Sequence, residues 1–429
     1  MEMVSIVLAF VIFFGSLILI FWEKINRSIV AISGAVLMIG MGKVLGFYNE
    51  ELAIEAIDFN TLGLLLGMMM LVAMLEPTGF FEYLAVLAAR SSKGKPIRLF
   101  ILLGIITTIL SMFLDNVTTV VLIAPVTILI SEILGISPLP YLMSEALLSN
   151  VGGVATLVGD PPNVLIGSAA GLSFNDFLLY SLPIVLVSWA GALLTLRILF
   201  KKDLSKRPRR TKAVMKLNPA ETLNHPQTAR QILIVLGMAI LLFFIHHALH
   251  VEPSLIALGA AAVSLLWVQP DLQEVLKRVE WSVLIFFGAL FIMVGGLEHS
   301  GALRKIVNLF DTVTGMDPVL FGVLVIWIVA IFSAVVDNVP ITIALIPVIQ
   351  GLGESGMDIA PLWWALAFGA GFGGTGTIIG SSANIIVATL SEKTRTPITS
   401  GIWIKRGLPV MIVTCTIASI LYALAFPLF

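Results

Sequence analysis

The sequence predicts an all-α polytopic membrane protein built from two inverted repeats, each with about five membrane helices, one of them discontinuous, and one helical hairpin. Three observations predict it. Apolar runs recur from end to end, and a run of about 20 residues crosses a hydrocarbon core of about 30 Å as a helix. Hydrophobic residues make up 58% of the chain and charged residues 12%, about half the charged share of a soluble domain. Two polar motifs occur twice, in the same order and at nearly one offset. Barrel-type alternation is absent, and a helix in lipid satisfies its own backbone.

The first run, residues 1–22, lacks a basic leader and a small-residue cleavage site, so it reads as a retained span over 3–22. Further spans are expected near 28–46, 59–76, 140–172 and 177–200. The second half repeats the pattern near 231–250, 253–269, 282–298, 361–391 and 402–426. The stretches 97–134 and 318–352 are each split by an Asp-Asn pair and read as hairpins that leave on the side they enter. Residues 1–200 then form the first repeat and 231–429 the second. The linker 201–230 is the one long polar segment, and its basic run reads as a topology anchor at an anionic leaflet.

The charges orient this arrangement. With the 23–27 loop in the cytoplasm, Lys43, Arg304 and Lys305 alone among the 25 basic residues fall outside. That is a strong positive-inside bias. The linker is then cytoplasmic, both termini are external, and the two halves start on opposite sides. The expected location is an inner or plasma membrane, crossed many times. Cys415 is the only cysteine, which excludes an internal disulfide and a thiolate cluster. No GxxxxGK[ST] loop is present, so nucleotide hydrolysis by that route is excluded and a secondary transporter, not an enzyme, is expected.

The doubled motifs locate the candidate site. Asp115-Asn116-Val117 with Pro125 recurs as Asp337-Asn338-Val339 with Pro347. The segment GGVATLVGDPPN, residues 152–163, recurs as GGTGTIIGSSAN, residues 373–384. Gly-Gly and Pro-Pro inside an apolar span cannot continue a helix, so both segments should unwind. Unwound backbone at membrane depth is tolerated where it lines a cavity or is buried in protein. Paired interruptions in inverted halves point to a transporter's binding site, where four polar breaks can converge.

Asp115 and Asp337 have two readings, as N-caps of the second hairpin arms or as proton-coupling groups, since a carboxylate deep in a span marks function by default. Asp160 could cap the half-helix after Pro161-Pro162 or couple protons, and its counterpart is Ser381. Glu145, in the first turns of its helix, is either dipole-stabilised or a proton relay. Asn116, Asn163, Asn338 and Asn384 are candidate substrate or ion contacts, the alternative being to satisfy freed backbone groups. Thr118, Thr156 and Thr377 are candidates too, with back-bonding inside the helix as the alternative for the last two. His246 and His250 have metal-ligand spacing without a completing ligand, so an interfacial role is expected. Met68, Met69, Met70 and Met74 read as packing.

Through FLDNVTTVVLIAPVTI, SNVGGVATLVGDPPNVLI, VVDNVPITIALIPVI and GGTGTIIGSSANIIVATL, the chain resembles the ArsB/NhaD branch of the ion-transporter superfamily, the arsenite permease and P-protein-like group. The resemblance covers essentially the whole chain. It implies a scaffold domain, a transport domain with elevator-like motion, and a homodimer. The tips Asp115-Asn116-Val117-Thr118 and Asp337-Asn338-Val339-Pro340 stand where the superfamily's dicarboxylate symporters carry Ser-Asn-Thr. A tip carboxylate repels a polycarboxylate, and Pro340 removes a threonine from one sodium site. The resemblance therefore implies proton-coupled efflux of arsenite or antimonite, a neutral hydroxide that a lone cysteine would not trap. The alternatives are sodium/proton antiport and anion or dicarboxylate transport. The implied partners are a small inorganic substrate, the bilayer and a cytoplasmic ATPase subunit, with no nucleic acid. No cofactor is expected beyond a proton or sodium as coupling ion.

Overall fold

The computed structural model describes residues 2–21, 24–206, 208, 210–302 and 316–429. Arg207 and Arg209 of the linker, and Arg304 and Lys305, lie outside these residues. Among the described residues the regular elements are all helices. The first half has three apolar spans, α1 (Glu2–Phe21), α2 (Arg27–Leu45) and α3 (Phe59–Leu75). After them come α4 (Phe80–Ser91), the hairpin arms α5 (Pro96–Phe113) and α6 (Asn116–Leu134), the half-helices α7 (Leu139–Gly153) and α8 (Pro161–Ala170), and α9 (Leu182–Leu199). The second half runs α10 (Pro226–Leu249), α11 (Pro253–Val268) and α12 (Trp281–His299). It closes with the arms α13 (Pro318–Val335) and α14 (Asn338–Glu354), the half-helices α15 (Ala360–Gly373) and α16 (Ser382–Glu392), and α17 (Ser400–Ala425).

The helix boundaries follow local chemistry. Asp58 caps α3 by accepting from Asn60 N and Thr61 N, which meets donors that no earlier turn can reach. Proline opens α5, α8, α10, α11, α13 and α15 at their first turns, where its missing N–H costs nothing. The sequence reading did not place α4. It is a 12-residue helix with Phe81, Ala85, Ala88 and Ala89 buried, an amphipathic stripe too short to register as a span.

Two faces can be told apart by contacts. The turn before α4 meets the linker: Asn224 N donates to Thr78 O at 3.0 Å, and a Cβ at Gly79 (φ 79°) would collide with Thr222 O. Glu76 pairs with Arg278 at 2.9 Å, and Ser137 Oγ lies 3.1 Å from Thr396 Oγ1. These residues define the linker face. On the far face Asn175 donates to Phe244 O and Tyr422 to Pro361 O. The hairpin α5–α6 enters from the linker face and α13–α14 from the far face, as inverted halves require.

The helices sort into two bodies. α3 packs on α11 and α2 on α12, so the halves exchange partners in a scaffold. α5 packs on α7, α13 on α15 and α9 on α17 to form the transport body. Leu241, Leu266 and Leu424, exposed at 66%, 76% and 73%, stand on the outer surface, where lipid is their solvent.

Candidate functional site

Both broken spans unwind where glycine is doubled. A Cβ on Gly153 would lie 2.8 Å from Gly159 O, and one on Gly374 would lie 2.7 Å from Gly380 O. The unwound chain therefore crosses back over its own helix end, and only glycine leaves room for that approach. Each loop is held by the same bonds in both halves. Asn163 Nδ2 donates to Gly153 O and Thr156 O at 3.2 and 2.8 Å, and Asn384 Nδ2 donates to Gly374 O and Thr377 O at 2.7 and 2.8 Å. The hydroxyls of Thr156 and Thr377 donate to Met112 O and Ala334 O, the freed carbonyls at the ends of the first hairpin arms. Ser111 and Ser333 hydroxyls cross to Ser149 O and Ala370 O at 2.8 and 2.6 Å. These bonds answer the backbone groups that the breaks leave open.

The breaks bring four helix N-termini to one place. A cavity of about 40 Å³ is lined by the first turns of α6, α8, α14 and α16, through Asn116, Pro161, Asn338 and Ser382, with Asp115, Asp160 and Asp337 at three of their caps. The hairpin tips are tied into bonds that cross between the halves. Asn116 Nδ2 donates to Asn150 Oδ1 at 3.0 Å, and Asn150 also accepts from Ser381 and donates to Asn384. Asn338 Nδ2 donates to Asp160 Oδ2 at 2.9 Å. The second tip thus meets the break of the opposite half directly through Asn338, whereas Asn116 reaches the opposite break through Asn150 of its own half.

The two tip carboxylates differ. Asp115 accepts from Thr118 N at 2.8 Å and Thr118 Oγ1 at 2.5 Å, so it caps α6, the plain reading of the sequence. Asp337 makes no cap bond. Its Oδ2 accepts from Arg27 Nη1 at 2.9 Å and from Ser382 Oγ at 2.8 Å. Arg27 sits on the scaffold at the start of α2, with its guanidinium carbon 5.3 Å from the Phe286 ring centroid, a cation–π distance. Asp160 does not cap α8, against that sequence alternative. It points its Oδ2 at Asn338, while Oδ1 is buried without a partner among the described residues.

Of the residues singled out from sequence, Asp115, Asn116, Asp160, Asp337 and Asn338 line the cavity. Thr118, Thr156, Asn163, Thr377 and Asn384 stand behind it and hold its walls. Glu145 is apart from it, buried against Thr127. Arg27, Asn150, Glu280 and Ser382 were not foreseen as site residues. Arg27 had been read only as a topology charge, and Asn150 lies just outside the repeated motif.

The cavity is continuous with a crevice of about 450 Å³ on the linker face, since Arg27, Val117, Glu280, Asp337 and Ser382 line both. A second crevice of about 510 Å³ on the far face is lined by His246, His247, His250 and Glu252. A small void of about 20 Å³ shares Leu64 and Val164 with that crevice and Leu65, Met69 and Asp115 with the cavity, and Leu114 and Val158 also line it. His246 is buried, and its Nδ1 lies 3.2 Å from Val251 O. Among the described residues no group of three or more His, Cys, Asp or Glu could hold a metal ion.

Comparison with known proteins adds a family to this geometry. The citrate transporter family, CitMHS, matches residues 17–369. The chain is 37% identical over 426 residues to the 46 kDa membrane protein of Mycobacterium leprae, covering 96% of this chain and 97% of that one. It is 36% identical over 422 residues to an uncharacterized transporter of Mycobacterium tuberculosis, with the same coverage. To the P protein of Homo sapiens it is 32% identical over 494 residues, covering 96% of this chain and 59% of that protein. Among solved structures it resembles the Alcanivorax borkumensis YdaH transporter, with a TM-score of 0.64, 15% identity, 94% of this chain and 99% of that chain. That last likeness concerns the fold.

Proposed function

The chain belongs to the citrate transporter family of membrane transporters, and on that premise we propose that its cargo is a small carboxylate anion moved together with protons. The observation that carries this reading is the meeting of four helix N-termini and one guanidinium at a single cavity. Each helix N-terminus acts as roughly +0.5 elementary charge, and such ends bind carboxylates and phosphates, here through the dipole more than through donors at α8, where Pro161 and Pro162 bring no N–H. Arg27 adds a planar fork that matches a carboxylate.

The acidic residues supply the coupling. Asp115, Asp160 and Asp337 stand at helix N-termini as resident carboxyl groups. A cargo carboxylate placed about 4 Å from an ionised one costs about 4 kcal/mol at an effective dielectric of about 20. Protonating a resident acid removes that repulsion and leaves its N-terminus for the cargo, so anion and proton enter together. Sodium as the coupling ion is the competing arrangement. The cavity has room for one carboxylate, and the rest of the cargo would lie in the linker-face crevice.

The ArsB/NhaD resemblance rests on the motif segments, and arsenite or antimonite efflux rests on the view that tip carboxylates repel an anionic cargo. Arg27 answers the charge of Asp337, and the family's description concerns citrate, so the anion reading is favoured. Homodimer formation and a soluble ATPase partner stay as proposals of the same rank. The test is reconstitution in proteoliposomes under an imposed pH gradient, with citrate, succinate, arsenite, antimonite and sodium compared side by side. We expect citrate or succinate accumulation that collapses with a protonophore. Movement of arsenite or sodium with neither carboxylate would overturn the reading.

A further inference from the structure

We infer that Glu145 carries the coupling proton between the linker face and the central cavity, which rests on the proton-coupled reading above. Glu145 is fully buried in α7. Its Oε1 accepts from Thr127 Oγ1 at 2.5 Å, and its Oε2 has no partner among the described residues. Tyr141, Glu145 and Ser149 follow one another four residues apart, so they share one face of α7, about 6 Å apart along the axis. At one end the Tyr141 hydroxyl lies 3.4 Å from Pro96 O, where the hairpin leaves the linker face. At the other end Ser149 Oγ lies 3.2 Å from both Ser111 Oγ and the carbonyl oxygen of Asn116, the residue after Asp115. Bridging water would carry the proton between these oxygens. Ser131, one turn from Thr127 on α6, also has a buried hydroxyl without a partner among the described residues.

The second half is an internal control. The motifs that align Asp115 with Asp337 and Thr156 with Thr377 place Thr127 opposite Ile349, Ser131 opposite Gly353, Glu145 opposite Leu366 and Ser149 opposite Ala370. The same hairpin packs on the same half-helix there with no polar side chain at any of the four positions, so packing does not require them. A buried carboxyl with a free oxygen is expensive in a membrane and is kept for function. The other charged side chains on helices packed against α7 are Arg98, Glu132, Arg197, Glu392, Lys405 and Arg406, all in linker-face turns. In the transfer an O–H bond forms at the Glu145 carboxylate as one breaks on a hydronium at the linker face. The proton then passes by way of Ser149 and bridging water to Asp115, and Glu145 regains its charge.

The test uses the full-length protein in proteoliposomes, with citrate as cargo and a pH dye inside. Glu145→Gln keeps the shape and the Thr127 bond. We expect at least a tenfold loss of pH-driven citrate accumulation with citrate exchange at equal pH retained, and partial return of the drive in Glu145→Asp. Ser149→Ala, which leaves Glu145 in place, is expected to slow driven uptake severalfold. Wild-type drive in Glu145→Gln overturns the inference, and so does loss of exchange in a variant that keeps its melting temperature. Should Glu145→Gln not fold, unchanged drive in Ser149→Ala overturns it. Infrared difference spectra between acid and alkaline baths decide the matter without any cargo. A carboxyl band missing from Glu145→Gln supports the inference, and an identical spectrum overturns it. If wild-type protein moves no citrate with protons, the transport reading fails while the infrared result still judges Glu145.

Discussion

The two halves of the molecule agree in their frame and disagree in their charges. Gly153 with Gly159 and Gly374 with Gly380 cross in the same way, and Asn163 and Asn384 tie the same two loop carbonyls. Yet Asp115 turns inward to cap its own helix, whereas Asp337 reaches across to a scaffold arginine. Asp160 has Ser381 as its counterpart, and Asn150 has Gly371. The matched bonds answer a demand that both halves share, which is to unwind a helix in lipid without orphaning its backbone. The unmatched groups answer a demand that exists once, the single cavity where the two halves meet. Symmetry here reports folding, and departures from it report chemistry.

The sharpest way to break this division is at Arg27. A hydrogen bond to a charged group contributes about 1.5–3 kcal/mol, so Arg27→Ala, which takes the guanidinium from the cargo, should cut citrate uptake and exchange alike by about tenfold or more. Arg27→Lys, which keeps the charge and loses the planar fork, should recover only part of it. Uptake at the wild-type rate in Arg27→Ala would assign Arg27 to topology alone.

The matched asparagines come next. Asn163→Ala and Asn384→Ala each leave two buried carbonyls unanswered, at about 1–3 kcal/mol per group. Both should lower the melting temperature strongly and to a similar degree, with Asn384→Ala somewhat worse because it also loses Asn150. Unequal losses in the opposite order would mean that the frame is less symmetric than its bonds.

The tip acids separate the two roles. Asn caps a helix about as well as Asp, so Asp115→Asn should fold with a stability change of a few tenths of a kcal/mol. Citrate exchange should persist while pH-driven accumulation is lost. Asp337→Asn frees the guanidinium, and its expected signature is a severalfold change in the apparent KM for citrate. The same phenotype in both variants would remove the distinction drawn between the tips. The smallest effect belongs to Thr118→Val, which takes one hydroxyl from Asp115 and should cost about 1 kcal/mol of stability.

How much of this was legible in the sequence follows the same division. The spans, hairpins and breaks could be read because each is a long signal, and because the site motifs are written twice. Asp115, Asn116, Asp160, Asp337 and Asn338 were found as cavity residues through those doubled motifs. Arg27 and Asn150 occur once each. Arg27 follows a short loop where any basic residue satisfies the orientation rule, and nothing local tells an anchor from a ligand. Its partner Asp337 lies 310 positions away. Thr156 and Thr377 were legible as important, but their bonds to Met112 O and Ala334 O depend on how the hairpin lies against the loop, which spacing alone does not encode. The helix α4 was missed because hydropathy over a span's length averages its polar face into its apolar one.

Arg27 belongs to the scaffold, while the helix ends it faces belong to the body that would move. On the proposed reading, cargo carried toward the far crevice would leave the guanidinium behind and meet a lining that includes His246, His247, His250 and Glu252. The two faces then present unlike linings, a guanidinium beside carboxylates on one and imidazoles beside a carboxylate on the other. A carrier of that kind would offer its passenger different partners on its two sides before any gradient is applied.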